Sequence, residues 1–336
     1  MCLFCCSNKG AEASEDATTI GDGHVSGKLF ESLPDGADFE RKLIKRGVTM
    51  EAFKVAKNNA ATLDKIAQAI IGSPTFIPDE WVMNLLDAER AAHLAFFGQE
   101  FDLTLMRGTI ERYGYARIAE WQKLGLEVHF LPSTVLMQNT SFDGWKIQPE
   151  SWYWDQSRNG NLYHRQGDGT LVKVSGDLLP GSVVLIDTRK KPNYDDSKQM
   201  FAKDGDFMGR VIDCLRKDGK LARYQYGPQT SRFGISSIEW EDHLKAAVAD
   251  HLGLEPTQVR LEMAIEANII PQLYMNMPRK DDGTTGTWCW YEEFFKSASR
   301  RLIGGRSDGG GLARVDCGGS GSHWYDLAVR PLGVLA

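Results

Sequence analysis

Leu312-Ala313-Arg314-Val315-Asp316-Cys317-Gly318-Gly319-Ser320-Gly321-Ser322-His323-Trp324-Tyr325-Asp326-Leu327 lies near the end of the chain, and from Arg314 to Asp326 Val315 is the only aliphatic anchor. Apolar pieces flank that run, Leu312-Ala313 before it and Leu327 to Leu335 after it. A polar, Gly/Ser-rich loop or exposed strand held between core strands, with Tyr, Trp and His in it, has the composition of a contact surface. Aromatic rings supply area at little entropic cost, and small polar residues adapt to what they meet. An ordinary Gly/Ser surface loop fits the same composition.

Upstream of this segment the pattern is that of strands. Leu126, Val128 and Phe130 alternate with polar residues, Leu171 to Val174 does so less regularly, and Ser182 to Ile186 is a short β-branched run. Asn159-Gly160, Asp168-Gly169 and Pro180-Gly181 read as turns between them. One helix interrupts: Ser236 and Glu239 fit a capping box, Trp240, Leu244, Ala247, Val248 and His251 share a face, and Gly253 closes it. The aromatic run Trp288, Trp290, Tyr291, Phe294 and Phe295 reads as core.

Before Gly125 the chain is helical. Leu63, Ile66, Ala67, Ile70 and Ile71 form one stripe, a second helix runs from the turn at Pro78 to Phe97 and stops at Gly98, and a third spans about Leu105 to Leu124. Residues 7–27 are polar and aperiodic and read as a flexible leader. The expected fold class is therefore α+β: a leader over 1–27, a helical region over 28–125, and a mixed α/β domain over 126–336.

The 336 residues suffice for a sizeable core. Lys+Arg 39 against Asp+Glu 45 leaves a net charge of −6, which argues against nucleic acid or an anionic membrane as the main partner. No transmembrane run and no secretory signal are visible, so the expected location is cytoplasmic unless another export route operates. Cys2, Cys5 and Cys6 crowd the N-terminus while Cys214, Cys289 and Cys317 are scattered, which is no disulfide framework. The N-terminal three suit a metal, a lipid or simply a frayed end.

Catalytic patterns are weak. The seven histidines form no ligand set, so no metal is expected. Gly305 to Gly309 matches the spacing of a nucleophile elbow around Ser307, but further glycines follow where a helix should begin. The same glycines lack the Lys of a phosphate loop, and Arg189, Lys190 and Lys191 read as a solvated strand end. No cofactor is implied.

Arg301-Leu302-Ile303-Gly304-Gly305, Ser307 to Val315, and Val329-Arg330-Pro331-Leu332 resemble the C-terminal variable region of diversity-generating retroelement target proteins. Val184 to Thr188, Lys191 to Asp195, Ser231 to Ser236 and Thr287 to Trp290 resemble other segments of that group, and the similarity covers roughly 126–336. The resemblance implies a C-type-lectin-like domain with a variable region at about 301–336, whose displayed positions are changed by a reverse transcriptase that miscopies adenines. The chain is then expected to be a ligand-binding display protein and not an enzyme, with an unknown protein or cell-surface ligand as partner. The expected contact residues are Ser307, Arg314, Asp316, Cys317, Gly319, Ser320, Ser322, His323, Trp324, Tyr325 and Asp326, over a scaffold of Leu312, Val315, Val329 and Leu332. The same fold also hosts formylglycine-generating enzymes, which would need a redox-active or metal-binding cysteine pair, and a structural receptor-binding protein is a third alternative.

Overall fold

The computed structural model describes residues 79–188, 207–274, 288–305 and 313–336, together with Thr49, Asn59, Ala61, Thr62 and Lys65. The N-terminal cysteines, the Leu63 to Ile71 stripe, Arg189 to Lys191, Ser307 and Leu312 lie outside the described residues. Two compact units are present, Met1–Ala69 and Ile70–Ala336. In the first, the Thr62 amide donates to both the backbone and the side-chain oxygen of Asn59.

In the second unit, helix α1 (Asp79–Phe97) opens with Asp79 and Glu80, carboxylates that favour a helix N-terminus, and Gly98 ends it at φ +71°. Its buried residues Val82, Leu86, Glu89, His93 and Phe96 recur every three or four positions. Helix α2 (Thr104–Lys123) is interrupted at Gly114, whose φ of +76° breaks the helical run. The Trp121 indole donates to the Leu252 carbonyl at 3.0 Å, and the Arg112 guanidinium donates to the Leu335 carbonyl beside the C-terminus.

Two sheets follow, with helix α3 (Ser151–Arg158) between their first strands. In the first, β1 (Leu126–Val135), β4 (Leu178–Asp187), β10 (Pro331–Val334) and β5 (Val259–Leu261) lie in that order, all antiparallel. The second runs β3 (Leu171–Lys173), β2 (Leu162–Arg165), β6 (Trp288–Phe295), β7 (Ser297–Gly304) and β8 (Val315–Gly319), while β9 (Leu327–Ala328) pairs parallel to β6. Helix α4 (Phe207–Lys217), helix α5 and helix α6 (Ala264–Leu273) complete the unit. Helix α5 comprises Ser237–Glu239, a π-helical turn Trp240–Leu244, and Lys245–Leu252.

The α+β class is therefore correct at the coarse level. Three expectations change. Gly125 is not a domain boundary, because α1 and α2 share one apolar core with β1, β4 and α5. Pro180-Gly181 is not a turn between strands: β4 runs straight through it, and Gly181 takes φ +73° where an added Cβ would meet the Ser133 Cβ at 2.8 Å. In α5 the capping box forms as read, but the π turn shifts the buried stripe to Trp240, Leu244, Val248, Ala249 and Leu252, leaving His251 exposed and stacked on Phe207.

All eight residues of β6 are buried, two of them glutamates. Glu292 accepts from the Leu261 amide and pairs with Arg301, and both oxygens of Glu293 accept from the Ala264 amide at the start of α6. Burial pushes the Glu293 carboxyl up to about 8, so at pH 7 it is held mostly as the neutral acid. Trp290, fully buried on the same strand, donates to the Ile235 carbonyl at 2.9 Å. Replacing Trp290 with Ala should cost about 3–5 kcal/mol of folding stability, read as a lower urea midpoint, since it leaves a large cavity and an unpaired carbonyl.

Candidate functional site

The C-terminal segment occupies the edge of the second sheet. β8 is the edge strand, a turn from Ser320 to Tyr325 follows, and after β9 the chain crosses into the first sheet through Val329 and Arg330. Of the residues read as a contact surface, Arg314, Gly319, His323, Trp324 and Tyr325 are exposed, and Asp316, Cys317 and Ser322 are half-buried. Ser320 and Asp326 are buried and belong to the framework. The Ser320 hydroxyl donates to the Ala298 carbonyl and its amide to the Ser299 carbonyl, pinning the turn to β7, while the Asp326 carbonyl accepts from the Trp288 amide. Val315, Val329 and Leu332 are buried beneath.

Other parts of the chain join this surface. Tyr226 is 67% exposed, and its ring centroid lies 5.7 Å from that of Tyr325. Tyr224 stands behind it, its ring 6.0 Å from Tyr226 and its hydroxyl donating to the Tyr325 carbonyl at 2.8 Å. The loop carrying both tyrosines is held by Arg216, whose guanidinium donates to the carbonyls of Ala222, Gln229, Ser231 and Phe233. Burial lowers that guanidinium to about 10, still charged at neutral pH.

Glu239, at the start of α5, accepts from the Ser236 amide and hydroxyl and from the Ala222 amide, and its Oε2 lies 2.8 Å from His323 Nε2. The Ile238 amide donates to the Ser320 carbonyl. Tyr226, Ile238 and Glu239 were not among the residues read from the sequence as contact residues. They lie some 80 to 100 positions from the tail, and the capping box, a signal for a helix end, says nothing about His323.

The surface therefore presents flat rings of Tyr226, Tyr325 and Trp324 to solvent, an imidazole fixed by a carboxylate, and the Arg314 guanidinium 5.3 Å from the Trp288 ring. Such groups can stack planar ligands and form directional hydrogen bonds. Cys317 and Cys289 are not joined in a disulfide: Cys317 is half-buried on the edge strand and Cys289 is buried in β6. Among the described residues no group of three or more His, Cys, Asp and Glu is placed to hold a metal, and no helix is long and apolar enough to cross a membrane.

A second polar cluster joins α1, β1 and α6. Glu89 accepts from His129 Nδ1 at 3.0 Å, from the Phe130 amide at 2.7 Å and from the Tyr274 hydroxyl, and His129 Nε2 lies 3.3 Å from Glu127. Burial opposes charge on both partners, but the attraction and hydrogen bonds between them prevail, so Glu89 falls to about 2 and His129 rises to about 9. His129 is thus a held cation and not a base at neutral pH. Folding raises its pKa, so its stabilisation is complete below about pH 6.5 and is lost as pH climbs through 9; that of Glu89 is present above about pH 4.5 and is lost as pH falls through 2. Thermal melts of the natural protein should therefore decline between pH 6.5 and 9, and His129→Gln should flatten that decline while lowering stability at pH 6.

No family model matches the chain. It is similar to a protein of Mus musculus described as a tRNA:m(4)X modification enzyme TRM13 homolog, 23% identical over 207 residues, which is 59% of this chain and 37% of that protein. The chain thus spans little more than a third of that relative's length. The similarity overturns three expectations: the retroelement-diversified display protein with its two alternatives, the absence of enzymatic activity, and the exclusion of nucleic acid as a main partner. The last rested on a net charge of −6, which averages over the whole surface and cannot report a local cluster of cations.

Proposed function

We propose that this chain binds RNA and takes part in its modification, holding unpaired bases on the surface built by Tyr226, His323, Trp324 and Tyr325. The observation that carries this reading is the exposed ring pair of Tyr226 and Tyr325, 5.7 Å apart, with Trp324 40% exposed beside it. Sequence-reading proteins mostly take RNA at loops and ends, where splayed bases stack on aromatic side chains and offer their edges for hydrogen bonds. His323, with Nε2 turned to Glu239, has Nδ1 for a base edge, and Arg314 supplies a guanidinium for a phosphate or a base face. The similarity to a tRNA modification enzyme favours RNA over other planar ligands.

The framework under that surface we read as C-type-lectin-like. Two sheets whose strands are antiparallel but for β9 support this, as does the pairing of the last strand: β1 and β10 flank β4, and the Val183 amide donates to the Ala336 carbonyl. We read the resemblance to the retroelement target proteins as one of framework: of its segments among the described residues, Val184–Asp187 falls in β4, Trp288–Trp290 in β6, Arg301–Gly304 in β7 and Pro331–Leu332 in β10.

Fluorescence anisotropy with unfractionated transfer RNA tests the function. Tyr226→Ala and Trp324→Ala should each weaken binding about 5- to 150-fold, the loss expected for one stacked base. Leu94→Ala, at an exposed position on α1, should leave it unchanged. Absence of binding by the natural protein, or equal affinity across the aromatic variants, would overturn the reading.

A further inference from the structure

The connection between β6 and β7 is a single residue, Lys296, with Phe295 before it paired to Ser297 after it. Its φ is +60°, a left-handed backbone that a side chain disfavours and that glycine would adopt freely. The turn is anchored by the Lys296 amide, which donates to the Asn161 carbonyl at 2.8 Å. Backbone strain of this kind concentrates where a side chain is needed for function.

A second cation comes to the same ring. Lys296 Nζ lies 5.1 Å and the Arg300 guanidinium 5.5 Å from the centroid of Phe295, which Trp152 flanks at 5.4 Å. Lys296 and Arg300 are both exposed, and among the described residues neither makes an ion pair with a carboxylate. Asp316, on the neighbouring strand, turns Oδ1 to the Cys317 amide at 2.7 Å, and Arg300 reaches the Cys317 sulfur at 2.9 Å. Two cations gathered on one ring without a counter-charge make a place where an anion is favoured.

That place lies on the Cys317 and Phe295 face of the second sheet, while Trp324 lies against Gly318 and Trp290 on the other face, so an RNA strand would pass from one to the other around the edge strand β8. Ser297 to Arg300 are all exposed, and Ala298 and Ser299 accept the two hydrogen bonds of Ser320, from which the chain runs directly to His323, Trp324 and Tyr325. We propose that Lys296 and Arg300 hold the phosphate backbone of the RNA whose bases occupy the aromatic surface. This assignment rests on the RNA reading above. It divides the labour in the usual way, since phosphate contacts position a strand and ring and edge contacts select it.

Salt dependence separates the two roles. Each phosphate neutralised by a cation contributes about 0.7 to the slope of log K against log salt for a single strand. The double variant Lys296→Gly, Arg300→Gln should lower that slope for unfractionated transfer RNA by about 1.4. Lys296→Gly relaxes the turn, so the variant should melt no lower than the natural protein. Arg300→Gln alone, which keeps the Lys296 charge, should lower the slope by about 0.7, half the loss of the double variant. Tyr226→Ala should lower affinity at an unchanged slope. If the natural protein binds and Tyr226→Ala weakens it while the double variant keeps the full slope, the phosphate assignment alone fails. If the natural protein binds no RNA, the functional reading fails with it.

Discussion

Arg301 is the interaction on which the second sheet depends. Its side chain is fully buried, and its guanidinium donates to the Tyr291 and Glu292 carbonyls, the Glu292 carboxylate, the Ser237 hydroxyl and the Glu241 carboxylate. One side chain on β7 thus ties β6 to the first turns of α5. An arginine cannot shed its charge in a protein, so its burial is tolerable only because its donors meet carbonyls and carboxylates in good geometry. Glu292 passes the connection on to the Leu261 amide, and Arg260 with Glu266, and Arg330 with Glu262, carry it along the first sheet. The seam between the sheets is ionic as well as apolar.

The exposed surface is a consequence of that seam. With β7 and α5 fixed against each other, the start of α5 lies beside the Ser320 turn, where the Ile238 amide reaches the Ser320 carbonyl. Glu239 then serves two ends at once, completing the helix cap and fixing the His323 ring. Arg216 does the equivalent for the loop that brings Tyr226 to Tyr325. Rings left in water by this arrangement are held from behind, so little freedom is lost when they contact a ligand.

Local signals in the chain were read well where short-range physics decides them. The ends of α1 and α2 followed from Gly98 and Gly125, and the Ser236 box formed with both of its hydrogen bonds. The aromatic run in β6 is buried as its composition suggests. Reading failed where a distant element decides. Pro180-Gly181 has the chemistry of a turn, yet pairing with β1 carries β4 through it. Ser320 and Asp326 have the polarity of surface residues, yet β7 and β6 take their hydrogen bonds and cover them. A net charge of −6 counts every charge alike, buried pairs such as Arg330 with Glu262 included, and carries no information on where exposed cations such as Lys296 and Arg300 gather.

By itself the sequence determined the α+β class, the helix ends, the strand-forming runs and the tail as a polar stretch between core strands, because spacing, capping and turn chemistry act over a few residues. The tertiary structure alone decided which of those polar residues reach solvent, and it brought Tyr226 and Glu239 to the tail and set Lys296 and Arg300 on one ring. Those are contacts between elements distant in the chain or across a sheet. Their register is set by the buried ionic seam and the close packing around it, which no local pattern encodes.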